Sequence, residues 1–195
     1  MKTDIKLIQA AVGVTADGII GPLTIAAIKD KLGIETVTEC NSLPTKAEIR
    51  SNKSIYGIAG KVPLKKITPP YQLYYEGKPL TTISVHEAIA DKVLRILQRT
   101  LDYYGAARIQ ELKLDQYSGC FSDRNTTNGT SKSMHAWGIA LDFCAELNGY
   151  NTKTKDALFS RDVYKPFIQF WYDEGGRSFG LENGYDWMHF ELCQA

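Results

Sequence analysis

Of the three histidines in this 195-residue chain, two sit among residues that could do chemistry. One setting is Ser133-Met134-His135-Ala136-Trp137-Gly138-Ile139-Ala140-Leu141-Asp142; the other is Asp186-Trp187-Met188-His189-Phe190-Glu191. Read as a strand, 137–143 turns Trp137, Ile139, Leu141 and Phe143 to one face and Gly138, Ala140 and Asp142 to the other. Two small residues beside a carboxylate leave open volume of the kind a metal and a substrate need. His135 lies an odd number of residues before Asp142, so both reach one ion only if His135 sits in the loop that precedes the strand. By the same parity, Asp186 belongs to a loop leading into a strand that carries His189. Two imidazoles and one carboxylate with a fourth position open follow the ligand logic of catalytic zinc. A further carboxylate nearby can act as a proton acceptor. Glu191, two residues beyond His189, reads equally well as an acid that orients a ligand or as an ordinary exposed one. His86 reads as a packing histidine on a long helix, and Trp137 and Trp187 as packing walls.

The spaced set Ser133-x-His135-x-x-Gly138-x-Ala140-x-Asp142, followed by Asp186-Trp187-x-His189, resembles the zinc D,D-carboxypeptidase / L-alanyl-D-glutamate endopeptidase family. The resemblance covers residues 43–195 and takes in Tyr117-Ser118-Gly119 and Arg124. It implies an α+β fold shared with the hedgehog signalling domain, an antiparallel sheet with packed helices. It implies Zn2+ as cofactor, held by His135, Asp142 and His189, and Asp186 as general base. Arg124 then holds substrate and helps stabilise the oxyanion, while Ser133 hydrogen-bonds substrate or a ligand. The acid at 186 is Asp, which tilts the reading toward the endopeptidase branch common in phage endolysins, where the carboxypeptidase branch usually has Glu. At the other end, Ile8-Gln9, Gly13-Val14 and Asp17-Gly18-Ile19-Ile20-Gly21-Pro22-x-Thr24, with Ala27, are similar to the peptidoglycan-binding repeat found at enzyme termini, at about half its usual length. Such a repeat would anchor the chain on wall polymer and raise the effective concentration of substrate.

Several elements must position these residues. Residues 1–36 read as a small helical module: a short helix carrying Ile5, Ile8, Ala11 and Val12, a turn at Thr15-Ala16-Asp17-Gly18, and a second helix between Pro22 and Gly33. The stretch 35–53 is polar, contains Pro44, and reads as a linker into the second domain, 43–195. Tyr71–Tyr75 is strand-like and is followed by a Glu76-Gly77 turn. Residues 84–104 give the longest helical pattern, with Ser84 and Glu87 as a capping box, an apolar stripe of Ile89, Val93, Ile96, Leu97 and Leu101, and Gly105 as its end. Tyr103 and Tyr104 read as packing residues. Ile109–Tyr117 and Trp187–Leu192 read as strands, and Val163–Glu174 as a helix with Pro166 in its first turn. The elements do not alternate regularly, which indicates α+β rather than a parallel βαβ sheet.

Composition bounds the rest. With 23 basic and 22 acidic residues the net charge is +1, and no basic footprint for nucleic acid or an anionic membrane appears. No apolar run approaches a membrane span, and the first residues lack a signal-peptide core. We therefore expect synthesis in the cytoplasm and action on the bacterial wall after release, as a monomer with peptidoglycan as partner and no nucleic-acid or membrane partner. Cys40, Cys120, Cys144 and Cys193 have no paired spacing and read as free thiols. The function expected is a zinc peptidoglycan peptidase cutting stem-peptide amides at L-alanyl-D-glutamate. The alternatives are a D-alanyl-D-alanine carboxypeptidase and a non-catalytic wall-binding module.

Overall fold

A computed structural model describes residues 2–14, 16, 18, 20, 22–32 and 43–195. The chain divides into two compact units, Met1–Asn41 and Ser42–Ala195. The first holds α1 (Lys2–Ala11) and α2 (Pro22–Lys31). Its buried centre is polar: the Gln9 carboxamide accepts from Gly18 N–H at 2.7 Å and donates to Thr24 Oγ1 at 3.1 Å. Gly18 has φ +83°, a left-handed value that favours glycine. Thus Gln9, Gly18 and Thr24 of the repeat-like motif tie two helices to the turn between them. Ile8, expected on the packed stripe, is exposed instead, as are Leu7, Ile20, Ile25 and Leu32. The calls on Thr15, Asp17, Gly21, Gly33 and Cys40 lie outside the described residues.

The second unit opens with α3 (Lys46–Arg50), inside the stretch that reads as a linker. Thr45 caps it and Glu48 closes the reciprocal box, the Thr45 N–H donating to Glu48 Oε2 at 2.7 Å. Then follow β1 (Leu64–Ile67), β2 (Leu73–Tyr75), β3 (Lys78–Leu80) and β4 (Ile83–His86). β1 pairs with β4, and β2 with β3 across the Glu76-Gly77 turn. Ser84 is therefore a strand residue opposite Lys66, not a helix cap. The cap is His86, whose Nδ1 accepts from Ala88 N–H at 3.0 Å. A 3-10 turn (Glu87–Ile89) leads into α4 (Ala90–Glu111), broken at Gly105, where φ is +72° and ψ 156°. Of the expected stripe, Ile89, Val93, Ile96 and Leu97 are fully buried and Leu101 is partly buried. The helical path runs on to Glu111, so Ile109 is helical rather than the start of a strand.

Beyond it lie β5 (Tyr117–Gly119), a 3-10 turn (Met134–Trp137), β6 (Ala140–Phe143), α5 (Ala145–Asn148), α6 (Lys165–Asp173), β7 (Arg177–Ser178), α7 (Phe179–Asn183) and β8 (His189–Glu191). A four-stranded antiparallel sheet forms in the order β5-β6-β8-β7. The unit is thus mixed α and β with three small antiparallel sheets in place of one. Opposed residues of an antiparallel pair share a face, and this sorts β6 and β8 cleanly. Leu141, Phe143 and Phe190 pack toward α6, where Phe190 stacks on Trp171 at 5.0 Å and meets Phe167 at 5.1 Å. Ala140, Asp142, His189 and Glu191 occupy the opposite face. Among the described residues no helix is long and apolar enough to cross a membrane.

Candidate metal centre

Asp142 and His189 are register partners on neighbouring strands, which brings together residues far apart in sequence. His135 reaches them from the 3-10 turn before β6, the loop position its parity demands. Ser133 caps that turn, its Oγ accepting from His135 N–H at 3.4 Å. The turn closes at Gly138, in the left-handed region at φ +64°. A Cβ there would lie 2.9 Å from Leu64 Cδ2 and 3.3 Å from His86 N. The expectation of open volume at Gly138 is therefore overturned: the residue is small because β1 and β4 press against it, and it precedes the strand rather than belonging to it.

His135 Nε2 lies 3.1 Å from His189 Nδ1 and 3.1 Å from Asp142 Oδ2, and His189 Nδ1 lies 3.0 Å from Asp142 Oδ1. All three residues are buried. Ligand atoms about 2.0–2.1 Å from a tetrahedral centre stand roughly 3.3 Å apart, so a slight opening of this triangle admits an ion. The outward nitrogens are also engaged. His135 Nδ1–H donates to the Cys120 carbonyl at 2.5 Å, and His189 Nε2–H donates to Glu191 Oε2 at 3.3 Å. These bonds leave His135 Nε2 and His189 Nδ1 as the inward donors, the arrangement that metal-bound histidines need. The buried His135, Asp142, His189 group can hold a metal ion. Two imidazoles and a carboxylate suit zinc and other first-row divalent ions.

Glu191, left open between orienter and surface acid, is only 1% exposed. Lys46 from α3 contacts its Oε1, and Arg177 Nε stands 3.7 Å from the same oxygen. Lys46 Nζ also lies 5.3 Å above the Phe179 ring, whose edge meets His189 at 5.8 Å. Lys46, Arg177 and Phe179 go unnoticed in the sequence; only the Thr45-x-x-Glu48 box could have pointed to the helix carrying Lys46.

The electrostatics follow from this packing. Burial alone would lower the His189 pKa, but its hydrogen bonds to Asp142 and Glu191 and their charges outweigh burial and raise it to about 10. Burial would raise Glu191, yet the His189 hydrogen bond and charge, with Lys46, bring it down to about 2. Asp142, against the same burial, is held well below the ordinary carboxylate range by hydrogen bonds from both histidines.

Asp186 sits on the loop before β8, as its parity requires, with φ +58°. A non-glycine residue in that region carries about 1–3 kcal/mol of strain, which Asn52, Glu76, Lys113 and Cys144 share outside the centre. Its Oδ1 is buried and has no hydrogen-bond partner. Burial raises its pKa, with Asp142 adding to the shift and the charges of His189, His135 and Arg124 opposing it. Asp186, His189, Glu191, Ser133 and Arg124 line one cleft of about 310 Å³. The structure thus brings every expected site residue to one region. His86 is the exception to its expected place: it ends β4, packs edge-on to Tyr56 at 5.3 Å, and takes no part in the centre. Cys120, Cys144 and Cys193 are buried free thiols. No family model, no curated protein and no solved structure matches this chain.

Proposed function

We propose that this chain is a zinc-dependent peptidoglycan peptidase that hydrolyses stem-peptide amides, at L-alanyl-D-glutamate. The carrying observation is the His135, Asp142, His189 triangle, with both outward nitrogens engaged, whose His189 lines a cleft that also holds a buried acid with an unpartnered oxygen. The motif resemblance supplies the substrate class, and Asp186 in place of Glu favours the endopeptidase over the carboxypeptidase.

In this reading His135, Asp142 and His189 would hold a divalent ion, which would supply Lewis-acid polarisation of the scissile carbonyl and a more acidic water. Asp186 Oδ1 takes the proton of the attacking water and delivers it to the leaving amine nitrogen as the C–N bond breaks. The raised pKa of Asp186 suits both transfers, since a stronger base is also a usable acid. Arg124 lines the cleft and in this reading holds the carboxylate beside the scissile amide. Ser133 acts one step back, fixing the turn that presents His135. The first unit anchors the chain on wall polymer. Mass spectrometry of digested peptidoglycan tests the reading: new N-terminal D-Glu is expected, free D-Ala indicates the carboxypeptidase, and no product indicates a binder. Asp186→Ala should abolish turnover with zinc still bound; retained hydrolysis removes Asp186 from the mechanism.

A further inference from the structure

We infer that Arg50 is a second anion-reading residue of this cleft, which therefore takes a peptide bearing two carboxylates, one on Arg124 and one on Arg50. The inference rests on the peptidase reading above and extends it to the substrate's charge. Besides His189, three basic side chains line the cleft: Lys46, Arg50 and Arg124. Lys46 is already committed to Glu191 and the Phe179 ring. The two arginines are not. Arg50 Nε donates to the Lys132 carbonyl at 3.4 Å, and Arg124 Nη1 to the Asn125 carbonyl at 3.3 Å, both main-chain partners. Elsewhere Arg95, Arg99, Arg108 and Arg177 each hold a carboxylate.

A guanidinium has five N–H donors in a fork that matches a carboxylate. Arg50 and Arg124 each show one bond, and neither meets an acid. Both are held to one piece of chain: Lys132 bridges Asn125 across an antiparallel contact, and Ser133 N–H donates to the Arg124 carbonyl at 3.1 Å. Arg50 itself stands at the end of a helix fixed by its capping box and by the Thr45 bridge to Gln194. Of the two acids in the cleft lining, Glu191 is answered by Lys46 and Arg177, which leaves Asp186 against two guanidiniums. The cleft therefore favours anions, and its volume of about 310 Å³ suits a ligand of dipeptide size.

The test uses the zinc-loaded full chain carrying Asp186→Asn to stop turnover, with binding followed by calorimetry. The probes are N-acetyl-L-alanyl-D-glutamate, with two carboxylates, and N-acetyl-L-alanyl-D-glutamine, which keeps only the one beside the amide. We expect the dicarboxylate to bind roughly tenfold tighter, a difference of about 1.4 kcal/mol, and Arg50→Ala to erase that preference with the glutamine probe unaffected. A preference that survives Arg50→Ala, or an equal loss on both probes, overturns the role of Arg50 and leaves the peptidase reading standing. Failure of the parent chain to bind either probe overturns both.

Discussion

Glu191→Gln is the sharpest probe of the centre, because Glu191 would act on a bound metal and on the proton that competes with it at once. In the structure Glu191 accepts from His189 Nε2–H at 3.3 Å while Lys46 and Arg177 face its other oxygen. An orienting carboxylate of this kind contributes about 10–100-fold to metal affinity. The same carboxylate helps hold a proton on His189, whose pKa stands at about 10. That proton must leave before the ion enters, so below pH 10 it opposes binding. Replacing Glu191 weakens the metal and also lowers the His189 pKa, and the two effects oppose each other at neutral pH. Near pH 10 half of the parent molecules have lost the proton, its opposition has fallen to about twofold, and almost only the loss remains. The expected result is a zinc-affinity deficit that is small near pH 7 and widens toward about 10–100-fold as pH approaches 10. Competition against a chromophoric chelator across this range measures it. A deficit that is constant with pH, or that shrinks as pH rises, refutes the reasoning. The variant also strands Lys46 and Arg177 beside a neutral amide; a broken buried pair costs about 3 kcal/mol, or a Tm drop of roughly 6–12 °C for a chain of this size.

Three further outcomes are expected. Metal-stripped protein should melt highest between about pH 4.5 and 6.5: Asp142 and Glu191 have lowered values and lose their contribution as pH falls below the ordinary carboxylate range, while His189 loses its own as pH rises from 6.5 through about 10. A melting temperature that climbs from pH 7 to 10 would contradict the His189 assignment. Gly138→Ala should destabilise by about 1–3 kcal/mol in denaturant titrations, since it combines a left-handed φ with a 2.9 Å approach to Leu64; a neutral effect would show that β1 gives way. Deleting residues 1–36 should lower activity on intact walls more than on a soluble peptide, and equal losses would make the first unit merely structural.

What was legible in the sequence is what depends on parity and local spacing. The placement of His135 and Asp186 in loops, and of Asp142 and His189 on strands, follows from the two-residue period of a sheet. The α4 stripe follows from the helical period. What was hidden depends on partners distant in the chain. Ser84 carries a convincing local cap pattern, but pairing with Lys66 takes it into a strand. Gly138 looks like an opening until Leu64 and His86 fill the space. The charge around Glu191 comes from Lys46 and Arg177, neither of which has a local pattern that points to it. The five-residue helix α3 lay in a stretch whose polarity reads as linker, although its capping box was in plain view.

The sheet order β5-β6-β8-β7 has a consequence for how the protein comes into being. β8 is an inner strand, flanked on both sides, yet it follows every other strand of its sheet in chain order. At ~5–20 residues per second, the stretch between Phe143 and His189 takes on the order of seconds to synthesise. Throughout that interval β6 presents Asp142 and the His135 turn with no third ligand and an unpaired edge. The nascent chain is thus without its complete metal centre, and a fragment truncated before His189 lacks both a ligand and the strand that closes the sheet. The three-residue group that can hold an ion is therefore assembled only once β8 has been made.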